Sequence, residues 1–353
     1  MNSIQDRISA FNKLGLFLSQ FSTTKIAQKE NIAHNSLFFD GFKHQIKLAE
    51  EHNSWFTKNN ILYALESWSE ALNSTNLEKW LSKNTVLNSS NKTVAIVMAG
   101  NIPLVGFHDF LSVLISGHSV LVKQSSNDKH LLPFLAKYLE YVEDSFKGKI
   151  TFTEKKLENF DAVIATGSNN TARYFDYYFK NKPNIIRKSR NSVAVITGKE
   201  TEEDMKKLAS DIFTYFGLGC RSVSKLYVPK NYNFDLFFKG MFVQKDIINN
   251  AKYANNYDYN KAVYLMSEYD LLENGFLMIK EDESYASPIA TIFYEYYDNE
   301  IDLKIKLHQD KEKIQCIVSK EFIENEIAFG ETQKPKLWEY ADGINTLTFL
   351  SNI

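Results

Sequence analysis

Cysteine is scarce in this chain: Cys220 and Cys316 are the two among 353 residues. Two thiols in a chain this long make no disulfide framework, and they read as the reduced thiols of a cytoplasmic protein. The seven histidines are scattered, with no HxxxH and no CxxC in the chain, so no metal site is expected. Long apolar runs are missing as well. The longest, Val94 to Ala99 and Phe110 to Ile115, are far too short to span a bilayer. Asp6 and Arg7 interrupt the apolar pattern of the first residues, unlike a signal peptide. A strong charge of either sign is lacking: 41 Lys and Arg against 43 Asp and Glu leave a net −2. That balance argues against nucleic acid or an anionic membrane as the main partner. No internal repeat and no low-complexity linker breaks the chain.

What remains is ordinary globular composition, with enough length for two or three domains and their cores. Residues 4 to 21 carry Ile4, Ile8, Phe11, Leu14, Phe17, Leu18 and Phe21 at helical spacing. A second helix is expected around Gly41 to Glu51, and a third through Asn59 to Lys83. The polar turn Asn88-Ser89-Ser90-Asn91 closes this helical part. Strand and helix then alternate. Thr93 to Met98, Ser119 to Lys123, Lys149 to Phe152, Ala162 to Ala165 and Ser192 to Thr197 read as strands. Helices are expected through Phe107 to Ile115, Leu131 to Val142 (with Asp128 as its cap) and Thr171 to Phe179. Such alternation specifies an α/β fold with a parallel sheet, whose ligands sit at the strands' C-terminal ends. Three polar turns fall at those ends: Gly100-Asn101, Gln124 to Asp128, and Gly167-Ser168. A second α/β region runs to about Ile327, and the tail, Thr346 to Leu350, reads as a strand.

One stretch stands out chemically: Phe216-Gly217-Leu218-Gly219-Cys220, between a helical pattern (Met205, Leu208, Ile212, Phe213) and the strand-like Lys225 to Pro229. Its glycines let the backbone turn tightly beside the thiol. Backbone N–H dipoles at such a junction favour the thiolate, a strong nucleophile towards carbonyl carbon. A buried apolar filler is the plainer role of a lone cysteine. Cys316, in an apolar strand pattern, reads as core.

In order and spacing, Gly100-Asn101-Ile102-Pro103, Val120-Leu121-Val122-Lys123, Thr166-Gly167-Ser168, Gly217-Leu218-Gly219-Cys220 and Tyr340-Ala341-Asp342-Gly343 resemble the aldehyde dehydrogenase superfamily. More closely, they resemble the acyl-CoA reductases of the bacterial luminescence type. The resemblance covers roughly residues 90 to 350. It implies a helical region over 1–88, a Rossmann-type nicotinamide domain over 89–198 and a catalytic domain over 199–327. The segment 328–353 would return to the N-terminal domain or enter an oligomer interface.

The resemblance also implies roles for particular residues. Cys220 would be the nucleophile, and the Asn101 amide, with the Cys220 N–H, would hold the oxyanion. As a turn residue, Asn101 could equally bond its own backbone. Lys123 falls on the lysine that binds the adenosine ribose, and Ser125 and Ser126 follow it in the cofactor site. Ser126 stands where NAD-preferring relatives carry a glutamate, so NADPH is expected over NADH. Gly167 and Ser168 match the turn near the cofactor phosphates, at a helix N-terminus.

Two departures accompany these matches. Ile186 to Ser192 contains no carboxylate where hydrolytic relatives keep the water-activating glutamate, and its Arg187, Lys188 and Arg190 read as a solvated basic face rather than a coenzyme A phosphate site. Ser284, ahead of Pro288, replaces a second glutamate. The implied activity is NADPH-dependent reduction of a fatty acyl-CoA, or of an acylated protein, to the aldehyde. An acid-forming aldehyde dehydrogenase and a non-catalytic acyl carrier are the alternatives. The 26 Phe and 19 Tyr would mostly fill cores, with a surplus that suits an acyl-chain pocket. A homo-oligomer, paired through the tail strand, is expected.

Overall fold

The computed structural model describes residues 3–84 and 91–353. The turn expected at Asn88 to Ser90 lies outside them. By its internal contacts the chain divides into two compact units, Met1–Lys188 with Lys336–Ile353, and Ser189–Pro335.

The first unit opens with four helices: α1 (Ile4–Leu18), α2 (Asn35–His52), α3 (Lys58–Ala71) and α4 (Ser74–Ser82). Ser3 and Asp6 form a reciprocal capping box that satisfies two N–H groups at the start of α1. The single helix expected over 59 to 83 is two. The chain breaks at Leu72, and Asn73 caps α4 by accepting the Asn76 N–H at 2.9 Å. The helix expected from Gly41 begins at Asn35 instead, and Gly41 sits inside it. A Cβ there would lie 2.9 Å from the Phe134 ring, so glycine lets this helix close on its neighbour.

Alternation follows: β1 (Thr93–Val97), α5 (Phe107–Ile115), β2 (Ser119–Lys123), α6 (Leu131–Val142), β3 (Ile150–Phe152), β4 (Ala162–Thr166), α7 (Asn169–Phe179) and β5 (Asn184–Arg187). The sheet has the order β3-β2-β1-β4-β5, and every pairing is parallel. In register, Val97 faces Lys123 on one side and Ala165 on the other. The loops after β1, β2 and β4 therefore leave from one edge. The N-terminal helices share a core with α5 and α6, in which Phe11, Phe17, Phe21, Phe42, Phe110 and Tyr138 are fully buried. Phe17 stacks on Tyr138 with ring centroids 4.4 Å apart. Much of the aromatic surplus is spent here, on packing.

The second unit contains β6 (Asn191–Val195), α8 (Glu202–Phe213), β7 (Val223–Pro229), α9 (Asp235–Met241), α10 (Ala251–Met266), β8 (Leu272–Glu273), β9 (Met278–Glu281), β10 (Thr291–Tyr297), α11 (Glu300–Gln309) and β11 (Ile314–Val318). Its sheet, β11-β6-β7-β10-β9-β8, is parallel except for the β8–β9 pair. Cys316 is buried in β11, as its strand pattern indicates.

The tail corrects an expectation. Thr346 to Leu350 is helical, α12 (Thr346–Ser351), capped by Asn345, whose side chain accepts the Thr348 N–H. Leu347 and Leu350, three apart, both go into the core of the first unit. Alternation over five residues looked like a strand, but the cap and the i,i+3 pair decide for a helix. The tail strand that was to pair subunits is therefore absent.

Candidate active site

The first unit assembles its candidate residues at the C-terminal edge of its sheet. Gly100 lies flush against the loop after β2: a Cβ built there would collide with the Ser125 hydroxyl and lie 3.2 Å from the Asn127 Cβ. Only glycine permits this approach. The Ser125 hydroxyl accepts the Asn127 N–H at 3.2 Å and shapes its own turn. Ser126 is exposed, with its carbonyl 2.7 Å from the His52 Nε2. The half-buried Lys123 donates to the Lys155 carbonyl at 3.2 Å. Gly167 and Ser168 lie between β4 and α7, where the Ser168 hydroxyl caps the helix by accepting the Thr171 N–H. A Cβ on Gly167 would touch Thr171 and Phe175 at 3.0–3.1 Å. Asn101 is exposed in the loop after β1.

Asp128 does not cap α6, because His130 occupies that position without a side-chain bond. The Asp128 carboxylate instead turns inward and accepts the Leu104 N–H at 2.8 Å, while its other oxygen has no hydrogen-bond partner. Leu104 sits at φ +57°, a left-handed conformation costly for a branched side chain. One carboxylate thereby ties the loop after β2 to a strained residue of the Asn101 loop. Burial pushes its pKa up to about 6, against the opposing pull of the Leu104 N–H.

The basic cluster is also not a solvated face. Arg187 is buried, and its guanidinium grips Asp109 of α5 (Nη2–Oδ1 2.8 Å, Nε–Oδ2 3.2 Å), the Ala341 carbonyl (2.8 Å) and Thr346 (3.0 Å). Asp342 stands 3.7 Å away. Only Lys188 is surface-like, pairing with Asp176 at 3.4 Å. Arg190 belongs to the second unit and bonds Glu312 at 3.3 Å.

In the second unit, Cys220 is exposed on the turn between α8 and β7. Tyr215 (φ +56°), Phe216 (+58°) and Gly217 (+74°) run left-handed in succession before it. Two of the three are non-glycine, and such strain is held only where surrounding contacts over-determine the backbone. Contacts anchor the turn at the cysteine and at the two residues after it. The Ser192 hydroxyl donates to the Cys220 carbonyl at 2.9 Å. The Arg221 Nε donates to the Thr332 carbonyl, and the Gln333 amide to the Ser222 hydroxyl at 3.2 Å. Ser284 is exposed in the turn after β9, where its N–H donates to Asp282 at 2.8 Å. The buried Lys225 ammonium anchors that turn through the Asp282 and Glu283 carbonyls and the Glu295 carboxylate.

This arrangement is a cysteine offered on a strained turn in one unit and a row of polar loops at a parallel-sheet edge in the other. The family model of the acyl-CoA reductases (LuxC) matches residues 20–236. The chain belongs to that family. A long-chain acyl-protein thioester reductase of Aliivibrio fischeri is 22% identical over 256 residues, 66% of this chain and 52% of that protein. The chain thus spans about half the length of that relative. Among solved structures, aldehyde dehydrogenase 21 of Physcomitrella patens superposes with a TM-score of 0.67 at 11% identity, over 99% of this chain and 84% of that one. An indole-3-acetaldehyde dehydrogenase of P. syringae, solved with NAD+, gives 0.61 at 12%, over 90% and 72%. The fold is that of the aldehyde dehydrogenase superfamily.

Three residues of this LuxC-family chain escaped the sequence reading: Asp128 as a loop tie, Arg187 as a buried ion, and Asp211. The last carried a signal. Asp211 falls on the apolar stripe of α8, three residues after Leu208 and next to Ile212. A carboxylate on a buried face marks a built polar contact. Among the described residues no group of His, Cys, Asp and Glu is placed to hold a metal, and no helix is long and apolar enough to cross a membrane.

Proposed function

We propose that the chain reduces a long-chain fatty acyl thioester to the aldehyde, using NADPH, by way of an acyl group carried on Cys220. The observation that carries this reading is the contrast between its two thiols. Cys220 is exposed on an anchored, strained turn, whereas Cys316 is core.

The Cys220 thiolate attacks the thioester carbonyl, and the carrier thiolate leaves with the electron pair of the broken C–S bond. Attacking and leaving sulfurs are of similar basicity, so the exchange needs little acid assistance. The Asn101 amide and the Cys220 N–H hold the oxyanion, a role typically worth about 10²- to 10³-fold per donor. When bound, the reduced nicotinamide would supply a hydride to the acyl carbon; the C–S bond to Cys220 then breaks, releasing the aldehyde and returning the thiolate. Lys123 and Ser126 would hold its adenosine ribose, and Gly167, Ser168 and the N-terminus of α7 its phosphates. Asn101, Ser126 and Ser168 are exposed on the loops at that sheet edge, polar groups that suit such a ligand. In the 186–192 stretch the one buried charge is the Arg187 guanidinium, engaged by Asp109 and the tail, so that stretch offers no general base for water. Release of acid is disfavoured accordingly. The donor is a fatty acyl-CoA or an acylated protein, the latter supported by the name of the Aliivibrio fischeri relative.

The test follows NADPH oxidation across a ladder of acyl-CoA lengths and an acylated carrier protein, with acyl labelling of wild type and Cys220→Ser. Oxidation peaking at long chains, with labelling lost in the variant, is expected. Labelling that persists in Cys220→Ser, or a chain inert to every thioester, would overturn the reading.

A further inference from the structure

The turn of the candidate nucleophile is held, just after the thiol, by a segment distant in sequence, and that segment is itself hung on one buried side chain. Asp211 of α8 is completely buried. Its Oδ2 accepts the Gly330 N–H at 2.7 Å; its Oδ1 accepts the Thr332 N–H at 3.0 Å and the Thr332 hydroxyl at 2.8 Å. Gly330 turns at φ +89°, and a Cβ there would press the Lys207 Cβ at 3.2 Å, so the segment closes tightly on α8. Thr332 and Gln333 then reach the neighbours of the thiol: the Thr332 carbonyl accepts from Arg221, and Gln333 donates to Ser222. Arg221 and Ser222 are the two residues directly after Cys220, which leaves the thiol's turn little freedom to drift.

We infer that Asp211 is a positioning residue for Cys220, acting through the 330–333 segment as a clamp on the turn that carries the thiol. Its catalytic arm rests on the proposed role of Cys220; its structural arm does not. An ionised carboxylate accepts on both oxygens, and three donors converge here. An asparagine of the same shape presents one acceptor and one amide donor, so at least one loop N–H is left facing a donor. A reacting atom displaced by about 1 Å typically costs on the order of 10²-fold in rate.

The experiment compares Asp211→Asn, Thr332→Val and Thr332→Ser with wild type in three readouts on the full chain. These are amide hydrogen exchange by peptide, acylation of Cys220 by a radiolabelled long-chain acyl-CoA, and iodoacetamide alkylation of Cys220 against Cys316. In Asp211→Asn and Thr332→Val, peptides covering 217–222 and 329–333 should exchange about 10-fold faster or more. Acylation should fall about 10- to 100-fold, while Cys316 stays unreacted. Thr332→Ser, which restores the hydroxyl, should recover wild-type behaviour in all three. Unchanged exchange at 217–222 in Asp211→Asn would overturn the clamp. So would faster exchange throughout the second unit with Cys316 becoming reactive, because Asp211 would then merely hold the fold. If wild type itself is not acylated, the reductase reading fails, and selective loosening of 217–222 still establishes the clamp.

Discussion

Buried carboxylates are the residues through which this chain shapes its loops, and Asp128 is the one whose electrostatics can be read most directly. Burial holds its pKa at about 6 in the folded chain, well above its value when exposed. The folded state therefore binds the proton more tightly than the unfolded one. The sign follows: the group's contribution is complete below about pH 4 and is lost as pH rises through 6. Between pH 4.5 and 7.5 the loss is on the order of 2 kcal/mol. Asp128→Asn keeps an acceptor for the Leu104 N–H and cannot ionise. All four tryptophans, Trp55, Trp68, Trp80 and Trp338, belong to the first unit, so their fluorescence reports its unfolding alone. In urea, the stability of Asp128→Asn relative to wild type should rise by about 2 kcal/mol from pH 4.5 to 7.5. A difference independent of pH would show that Asp128 does not titrate there.

At the scale of elements, the tail shows what local sequence can and cannot announce. Strands β1, β2, β4, β6 and β7 were legible because parallel strands buried or half-buried along their length are short apolar runs closed by turns. The 72–73 helix break was not, because Leu72 continues the apolar stripe and only Asn73's capping bond ends it. Arg187 was misjudged for a related reason. It alternates with Ile185 on the buried side of β5, but its partners lie 78 residues upstream in α5 and 154 downstream in the tail. No local window contains them. The same contacts give the Tyr340-Ala341-Asp342-Gly343 segment a physical role: Tyr340 accepts the Trp80 indole N–H at 2.7 Å, and Ala341 and Asp342 meet Arg187. Arg187→Met should strand the Asp109 charge in the interior and cost the first unit about 3 kcal/mol or more. Adding Asp109→Leu should recover part of that loss, since the orphaned charge goes with it. Urea titrations of tryptophan fluorescence for both variants measure this. A cost below about 1 kcal/mol for Arg187→Met would mean that the ion cluster is dispensable.

For the whole molecule, chemistry is divided between the two units: the thiol and its clamp belong to one, and the loops proposed for the dinucleotide to the other. The strand–helix rhythm and the polar turns after the strands were legible in the sequence. The clamp was not, because hydrogen bonds between residues more than a hundred positions apart leave no periodic trace. The division also makes nucleotide choice separable from acyl chemistry. Ser126 lies at the surface of the first unit, its backbone fixed through the carbonyl to His52, so its side chain can be exchanged without unlocking the turn. A glutamate there would set a carboxylate against a 2′-phosphate, and would accept a hydrogen bond from a 2′-hydroxyl. Ser126→Glu should therefore weaken NADPH binding about 10-fold or more, leave NADH binding equal or tighter, and reverse the order of the two. Fluorescence titrations of both nucleotides on both proteins decide the matter. Acylation of Cys220 in the absence of nucleotide should be the same in wild type and variant. Wild type binding NADH as tightly as NADPH would remove the case for NADPH. A variant with an unaltered ratio would place the adenosine ribose away from this loop.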